Sequence, residues 1–293
     1  MKRRGSSESA GETLSDDIDL FPWVKEAKKR QKRKAGGHKT ERPGPGSCQS
    51  SSESESRKKS SPDSLVLPAY DLTKIQKLGK PPRVPNWRSA LDVYILEPLQ
   101  ARPAYAKQRV FYEDEVCVAI YDSFPKSAIH LLVLPRLSLS LPNVHNFSAQ
   151  LHLSNLKVLH DRAKRIKRHL EARNQQCVSG GGQAMFRGEL MVGYHGIPSM
   201  NYLHIHIIST DFVGIKNKKH YLSFAKCPEF FIPMDTMEKD LSENKTFTKK
   251  PDCNVLKEDL VCLHCNITHK NIPALKAHLV KCRVAKETNN TSS

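Results

Sequence analysis

The chain has 293 residues, with 47 Lys and Arg against 30 Asp and Glu, so its formal net charge is +17. This length suits one main domain with smaller attachments, and the positive charge favours a polyanionic partner such as nucleic acid. A ribosome-associated or merely well-solvated basic protein would have the same balance. No run of about 18 apolar residues is present, and residues 1–20 do not resemble a secretory signal. We therefore expect a protein without a membrane partner.

Residues 1–83 are rich in Ser, Glu, Lys, Gly and Pro. Such a segment cannot bury enough apolar surface to offset the entropy lost on ordering, so we predict a disordered tail. Within it, residues 25–34 read KEAKKRQKRK, which is typical of a nuclear localisation signal or a nucleic-acid-binding arm. We expect a nuclear protein, although a solvated charge run has the same composition. The acidic, aromatic segment 16–23 is a candidate docking motif for a protein partner.

From residue 84 the hydrophobic pattern predicts folded structure. Apolar side chains at helical spacing indicate a first helix: Trp87, Leu91, Tyr94, Ile95 and Leu99. Three strands are predicted at 110–112, 116–121 and 130–135, followed by an amphipathic helix at 147–174. Two more strands, at 189–194 and 203–209, complete an α+β domain built around an antiparallel sheet.

The last predicted strand carries two histidines, His204 and His206, in alternation with apolar residues. Both imidazoles therefore project from one face of the sheet while the apolar side chains face the other. His195 and Ser199 lie just upstream in a predicted turn. Together these groups offer more capacity for proton transfer and hydrogen bonding than packing requires. A metal pair, or two hydrogen-bonded histidines on a polar face, would show the same spacing.

Three separated motifs resemble known hydrolases. Residues 122–135, DSFPKSAIHLLVLP, are similar to the segment that precedes the catalytic strand of histidine-triad nucleotide hydrolases. Residues 193–212 and 216–220 (KNKKH) resemble, more narrowly, the aprataxin family of DNA 5′-adenylate hydrolases. The resemblance extends over about residues 86–283. One departure is Tyr202, which occupies the first histidine position of the pattern His-φ-His-φ-His-φ-φ.

The resemblance implies a role for each matching residue. His204, the middle histidine, would attack the AMP phosphorus to form an adenylyl-histidine, and His195 would protonate the departing oxygen. His206 and Ser199 would bind phosphate oxygens. Four further residues would bind nucleotide and DNA, namely Asp122 at the ribose hydroxyls and Lys126, His130 and Lys219 at the phosphate and the DNA end. No Mg²⁺ is expected, because no carboxylate cluster accompanies these motifs.

The implied function is a DNA-repair reaction that releases AMP from adenylated 5′ ends, the products of abortive ligation. Its partners would be damaged DNA at nicks, ends or RNA–DNA junctions, and repair proteins bound through the tail. The histidine-triad core also serves general nucleoside phosphoramidate or dinucleotide hydrolases. A zinc-finger DNA-binding protein with a decayed catalytic domain is the non-enzymatic alternative, for which Tyr202 is the only hint. No segment resembles the forkhead-associated domain of vertebrate aprataxins.

Near the C-terminus, four residues follow the pattern Cys262-x₂-Cys265-x₁₂-His278-x₃-Cys282. These ligand types and spacings are typical of a structural zinc finger. We predict a C2HC finger at 251–286, joined to a catalytic domain at 84–225 by a connecting segment at 226–250 and followed by a tail at 287–293. Three other residues are possible ligands with less suitable spacing: Cys253, His264 and His269. Basic residues of the finger are expected to contact DNA phosphates: Lys270, Lys276, Lys281 and Arg283.

Overall fold

The structure is a computed structural model, and it describes residues 66–142, 146–247 and 250–282. The basic run at 25–34, the candidate docking motif at 16–23 and Arg283 lie outside these residues. The described residues belong to one compact unit that begins at Val66. Within this unit, no described helix is both long enough and apolar enough to cross a membrane.

The predicted antiparallel sheet forms the centre of the fold, with six strands where five were expected. Its strands are β1 (Val110–Glu113), β2 (Cys117–Tyr121), β3 (His130–Pro135), β4 (Leu190–His195), β5 (Ile205–Ser209) and β6 (Phe231–Pro233). They lie in the order β1-β2-β3-β5-β4-β6. The histidine-bearing strand β5 is therefore central, paired with β3 on one side and β4 on the other.

Helices cover both faces of this sheet. They are α1 (Lys74–Leu78), α2 (Asp92–Ile95), α3 (Ala104–Lys107), α4 (Ala149–Ser179), α5 (Lys218–Ala225), α6 (Met234–Asn244) and α7 (Ile272–Lys281). The predicted amphipathic helix is α4, and its apolar stripe packs in the main core together with Ile205 and Ile207 of β5. A smaller core on the opposite face contains Leu91, Tyr94 and Leu132. The alternation along residues 203–209 thus points His204 and His206 away from α4.

The first predicted helix is interrupted. The segment forms a 3₁₀ turn at Trp87–Ser89 and the single turn of α2. Leu91, Tyr94 and Ile95 are buried, as their spacing suggested. The helical pattern does not continue to Leu99 because Pro98 disfavours a helical conformation in the residue before it.

The predicted connecting segment 226–250 instead contains regular structure. β6 pairs with β4 at the edge of the sheet, and α6 buries Met234, Met237 and Leu241. This part of the chain therefore completes the sheet domain, because it covers an edge strand and adds to the main core.

The folded unit also begins before the predicted boundary at residue 84. Tyr70 packs on Tyr121, with ring centroids 4.9 Å apart, and its hydroxyl accepts the backbone N–H of His130 at 3.2 Å. Residues 66–79 therefore belong to the domain rather than to the tail, since their aromatic and aliphatic side chains pack on the core.

Candidate active site and zinc centre

Four histidines meet on the face of the sheet opposite α4. The ring centroid of His206 lies 5.0 Å from that of His204, 5.3 Å from that of His130 and 6.3 Å from that of His195. His206 lies in β5 and His204 immediately before it, while His130 begins β3 and His195 ends β4. The sheet order therefore brings together the residues that the sequence motifs place far apart.

His204 has one nitrogen available for nucleophilic chemistry. Its Nδ1 lies 2.8 Å from the carbonyl oxygen of Tyr202. Since a carbonyl can only accept, Nδ1 carries the hydrogen and Nε2 keeps its lone pair in the neutral ring. Burial lowers the pKa of His204, which favours this neutral form. The backbone carbonyl does not depend on the side chain at position 202, so Tyr202 leaves this orientation of His204 intact.

His130 and His206 form a hydrogen-bonded relay. The backbone N–H of Lys126 donates to Nδ1 of His130 at 3.1 Å, so the neutral His130 ring carries its hydrogen on Nε2. That Nε2–H donates to Nδ1 of His206 at 3.0 Å. The hydrogen of His206 is therefore on Nε2, a buried atom without a hydrogen-bond partner among the described residues. His206 thus presents an unused donor to the site.

The geometry gives His130 a structural role that the motifs did not imply. The side chain is 1% exposed, and both ring nitrogens are engaged within the protein. Burial lowers its pKa to about 4, so the ring is neutral at physiological pH. In this arrangement His130 orients His206 from behind, and its contact with phosphate or the DNA end stays a prediction.

Asp122 lies beside this relay as an ionised carboxylate. Its Oδ2 is 3.6 Å from Nε2 of His130, and its Oδ1 accepts the backbone N–H of Phe124 at 2.6 Å. Burial acts to raise the pKa of Asp122, but His130, Lys126 and the Phe124 N–H outweigh it and hold that pKa below the usual value. A carboxylate kept charged in a mostly buried position is suited to accept hydroxyl donors.

His195 has a similarly defined tautomer. Its Nδ1–H donates to the carbonyl oxygen of Ile197 at 2.9 Å, which leaves Nε2 as the proton-accepting atom. The ring packs against Phe224 and Phe230, with centroids 5.3 and 5.0 Å away. Burial lowers the pKa of His195 to about 4. An anionic ligand close to Nε2 would raise this pKa and favour the protonated form.

The C-terminal residues form a metal site. The ligand atoms of the four predicted residues, Cys262, Cys265, His278 and Cys282, all lie within 4.8 Å of one another. Cys265 Sγ and His278 Nε2 are 3.1 Å apart, close to the roughly 3.5 Å edge expected of a Zn²⁺ tetrahedron with such ligands. The donor set and its spacing fit zinc, which would hold this part of the chain together.

Comparison with known proteins identifies both parts of the chain. Residues 99–221 match the family described as "Scavenger mRNA decapping enzyme C-term binding", and residues 228–283 match "C2HE / C2H2 / C2HC zinc-binding finger". The aprataxin-like protein of Schizosaccharomyces pombe is 34% identical over 212 residues, which are 70% of this chain and 85% of the relative. That of Saccharomyces cerevisiae is 33% identical over 213 residues, 66% of this chain and 94% of the relative. The chain belongs to the aprataxin family.

Two further relatives extend the comparison. The Drosophila melanogaster aprataxin-like protein is 34% identical over 200 residues, which are 67% of this chain but only 26% of that protein's length. The crystal structure of the aprataxin orthologue Hnt3 in complex with DNA is 30% identical, with a TM-score of 0.50, and the match covers 67% of this chain and 94% of Hnt3. The resemblance to the aprataxin family and the α+β fold predicted from the motifs are confirmed.

The remaining site residues of this aprataxin-family protein lie on loops and on α5. Ser199 is half-buried in the connection from β4 to β5, and Lys219 is exposed in the first turn of α5. Lys126 is half-buried, and its ammonium group donates to the carbonyl oxygen of Phe124. The structure thus gathers the histidines, Asp122 and Lys126, whereas Lys219 is an exposed residue of α5.

Sequence reasoning missed one residue of the site. The ring of Phe224, on α5, lies 5.3 Å from those of His195 and His206 and 5.7 Å from that of His130. The apolar spacing of Tyr221, Leu222 and Phe224 is a helical signal directly after the KNKKH motif. That signal alone could have indicated a buried helix against the site.

Proposed function

We propose that this protein is a DNA-repair hydrolase that removes AMP from adenylated 5′ ends of DNA and restores a 5′-phosphate. The observation that carries the proposal is the tautomer of His204, whose Nδ1 is tied to the Tyr202 carbonyl so that Nε2 can attack. Membership of the aprataxin family and likeness to an orthologue crystallised with DNA support a hydrolase that acts on nucleotide or DNA.

In the first step, Nε2 of His204 attacks the AMP phosphorus, and the bond from that phosphorus to the oxygen of the DNA 5′-phosphate breaks. The electron pair of that bond leaves with the DNA 5′-phosphate, and His195 gives a proton to the departing oxygen. The Nε2–H of His206 donates to a non-bridging oxygen, where negative charge accumulates in the transition state. Ser199 adds a second donor.

In the second step, a water molecule attacks the phosphorus of adenylyl-His204, and the P–N bond breaks to release AMP. His195, now deprotonated, takes a proton from this water. Neutral imidazoles in the free protein suit both steps, since His204 attacks as a base and His195 is charged only when the anionic substrate is bound. The carboxylate of Asp122 accepts hydrogen bonds from the ribose hydroxyls and so orients AMP for the attack.

The basic surface supports DNA as the substrate. Lys126 and Lys219 would bind phosphates at the DNA end, and three lysines of the finger would contact the adjoining DNA backbone: Lys270, Lys276 and Lys281. The net charge of +17 adds a long-range attraction to this polyanion. Nicks, ends and RNA–DNA junctions would all present the same 5′-adenylate to His204.

Two proposals concern the N-terminal tail. The basic run at 25–34 supports nuclear localisation, which a fluorescent fusion with these lysines and arginines replaced would test by loss of nuclear signal. The segment 16–23 supports recruitment by repair proteins. Its deletion should leave hydrolysis of adenylated DNA unchanged in vitro while removing any such partner from pull-downs.

The activity is tested with two substrates, 5′-adenylated nicked DNA and a free adenosine phosphoramidate. We expect strong preference for the DNA, and acid-labile label retained on wild-type protein after a quench but absent from His204→Ala. Preference for the phosphoramidate would indicate a general nucleotide hydrolase. Binding of DNA without turnover of either substrate would indicate a non-catalytic zinc-finger protein.

A further inference from the structure

The zinc-binding part of the finger rests directly on α5. We call residues 261–268, which are closed by a β-bridge between Val261 and Thr268, the zinc knuckle. The hydroxyl of Tyr221 donates to the carbonyl oxygen of Val261 at 2.9 Å and accepts the N–H of Leu263 at 3.0 Å. Tyr221 is fully buried. One hydroxyl therefore holds the backbone on both sides of the ligand Cys262.

The same helix contacts the catalytic histidines one turn later. Phe224 follows Tyr221 by three residues, so the two side chains lie on neighbouring parts of the helix surface. The Phe224 ring is buried, and its centroid lies 5.3 Å from those of His195 and His206 and 5.7 Å from that of His130, which it meets nearly at a right angle. A single turn of α5 thus connects a zinc ligand to three of the four histidines.

A second contact joins the knuckle to β5. Nε2 of His264 lies 3.3 Å from the carbonyl oxygen of Thr210, the residue that follows β5. The approach is close, because a Cβ atom at Gly188 would lie 3.1 Å from His264 Cε1 and 2.2 Å from Thr210 Oγ1. Gly188 also has a φ of +71°, a conformation that favours glycine. Glycine at position 188 therefore allows the finger to pack closely against this part of the domain.

We infer that the zinc finger positions the catalytic histidines as well as DNA, and that Tyr221 is the positioning residue that connects them. The inference rests on the proposed function. The knuckle orders α5 through Tyr221, and α5 packs the histidines through Phe224. Loss of zinc would unfold the knuckle and leave the buried Tyr221 hydroxyl without its two hydrogen-bond partners. The helix α5 would then be less well ordered. Loss of the folded finger would then lower the turnover even of substrates too small to contact it.

The test compares Tyr221→Phe with wild-type protein. This variant keeps the ring against Phe212, 5.3 Å away, and removes only the hydroxyl. Tyr112→Phe is the matched control, since Tyr112 lies on strand β1 and its hydroxyl donates to the carboxylate of Asp114 at 2.9 Å. Three quantities are measured: turnover of adenosine phosphoramidate, zinc content, and hydrogen exchange of the α5 amides. The small substrate has no DNA for the finger to bind.

For Tyr221→Phe we expect retained zinc, faster exchange in α5, and a kcat lowered about tenfold, equivalent to ~1.4 kcal/mol, with KM within about twofold. Tyr112→Phe should match wild type, and zinc-stripped wild type should show the same faster exchange in α5. A zinc-loaded Tyr221→Phe with the turnover and exchange of the control would overturn the inference.

Two further outcomes are decided by hydrogen exchange in α5. If Tyr221→Phe itself loses zinc, the zinc-stripped wild type decides, and unchanged exchange in α5 would overturn the coupling. If wild-type protein turns over neither substrate, the proposed function fails, whereas hydrogen exchange still tests whether the knuckle orders α5.

Discussion

Substitution of His130 can separate the two hydrogen bonds that this buried side chain makes. Gln at position 130 can place its amide nitrogen near the position of Nε2 and still donate to His206. Asn can place its oxygen near the position of Nδ1 and accept the Lys126 N–H, but it is too short to reach His206. We expect His130→Gln to keep most of the turnover and His130→Asn to lose most of it.

The size of the loss follows from the relay geometry. The donor and acceptor of the His130–His206 bond are 3.0 Å apart, and both rings are buried. A buried acceptor left without its donor costs about 1–3 kcal/mol. If the whole cost falls on the transition state, where His206 holds a phosphate oxygen, the Asn variant is slowed roughly 5- to 150-fold.

Single-turnover rapid quench with 5′-adenylated nicked DNA measures this loss without a contribution from product release. Thermal unfolding of both variants is the control for intact folding, because each leaves one buried polar group without a partner. Equal single-turnover rates for folded Gln and Asn variants would refute the argument that His130 acts through His206.

Three further predictions concern His195, acid stability and DNA affinity. His195→Ala should slow release of the DNA 5′-phosphate far more than release of a nitrophenol, which needs little protonation, and equal slowing of both would contradict an acid role. Folding lowers the pKa of His130 and His195 from the ordinary 6.5 to about 4, because burial disfavours the charged rings. The free energy of unfolding should therefore be highest above pH 6.5 and fall as the pH is lowered towards 4. Urea unfolding across this range checks it, and a His195→Asn variant with the wild-type pH slope would count against it. DNA affinity measured by anisotropy should fall with salt, with a log–log slope near −4.5 for about five lysine–phosphate contacts at roughly −0.9 each, whereas a flat dependence would exclude them.

Much of the fold follows from periodic patterns that the chain carries locally. Alternation along residues 203–209 predicts a strand with histidines on one face, and the apolar stripe of residues 147–174 predicts α4, observed at Ala149–Ser179. The zinc ligands were equally predictable, because Cys262, Cys265 and His278 lie close enough along the chain for spacing alone to indicate a site.

The parts that were not predicted depend on tertiary contacts. The direction of His130 is set by the register of β3 on β5, in which His130 lies opposite Ile208. β6 has only three residues, too few for a periodic signal, and it forms because β4 offers a free edge. The role of Phe224 likewise appears only when α5 packs across the site.

β6 also determines when the catalytic sheet can be completed. During synthesis the chain emerges from its N-terminus, so both neighbours of β5 are made before β6. Until Phe231–Pro233 emerge, the outer edge of β4 stays unpaired beside His195, and such an edge is open to pairing with other chains. The residues that close this edge lead directly through α6 into the finger. A nascent chain therefore pairs the outer edge of β4, beside His195, only shortly before the zinc-binding segment is made.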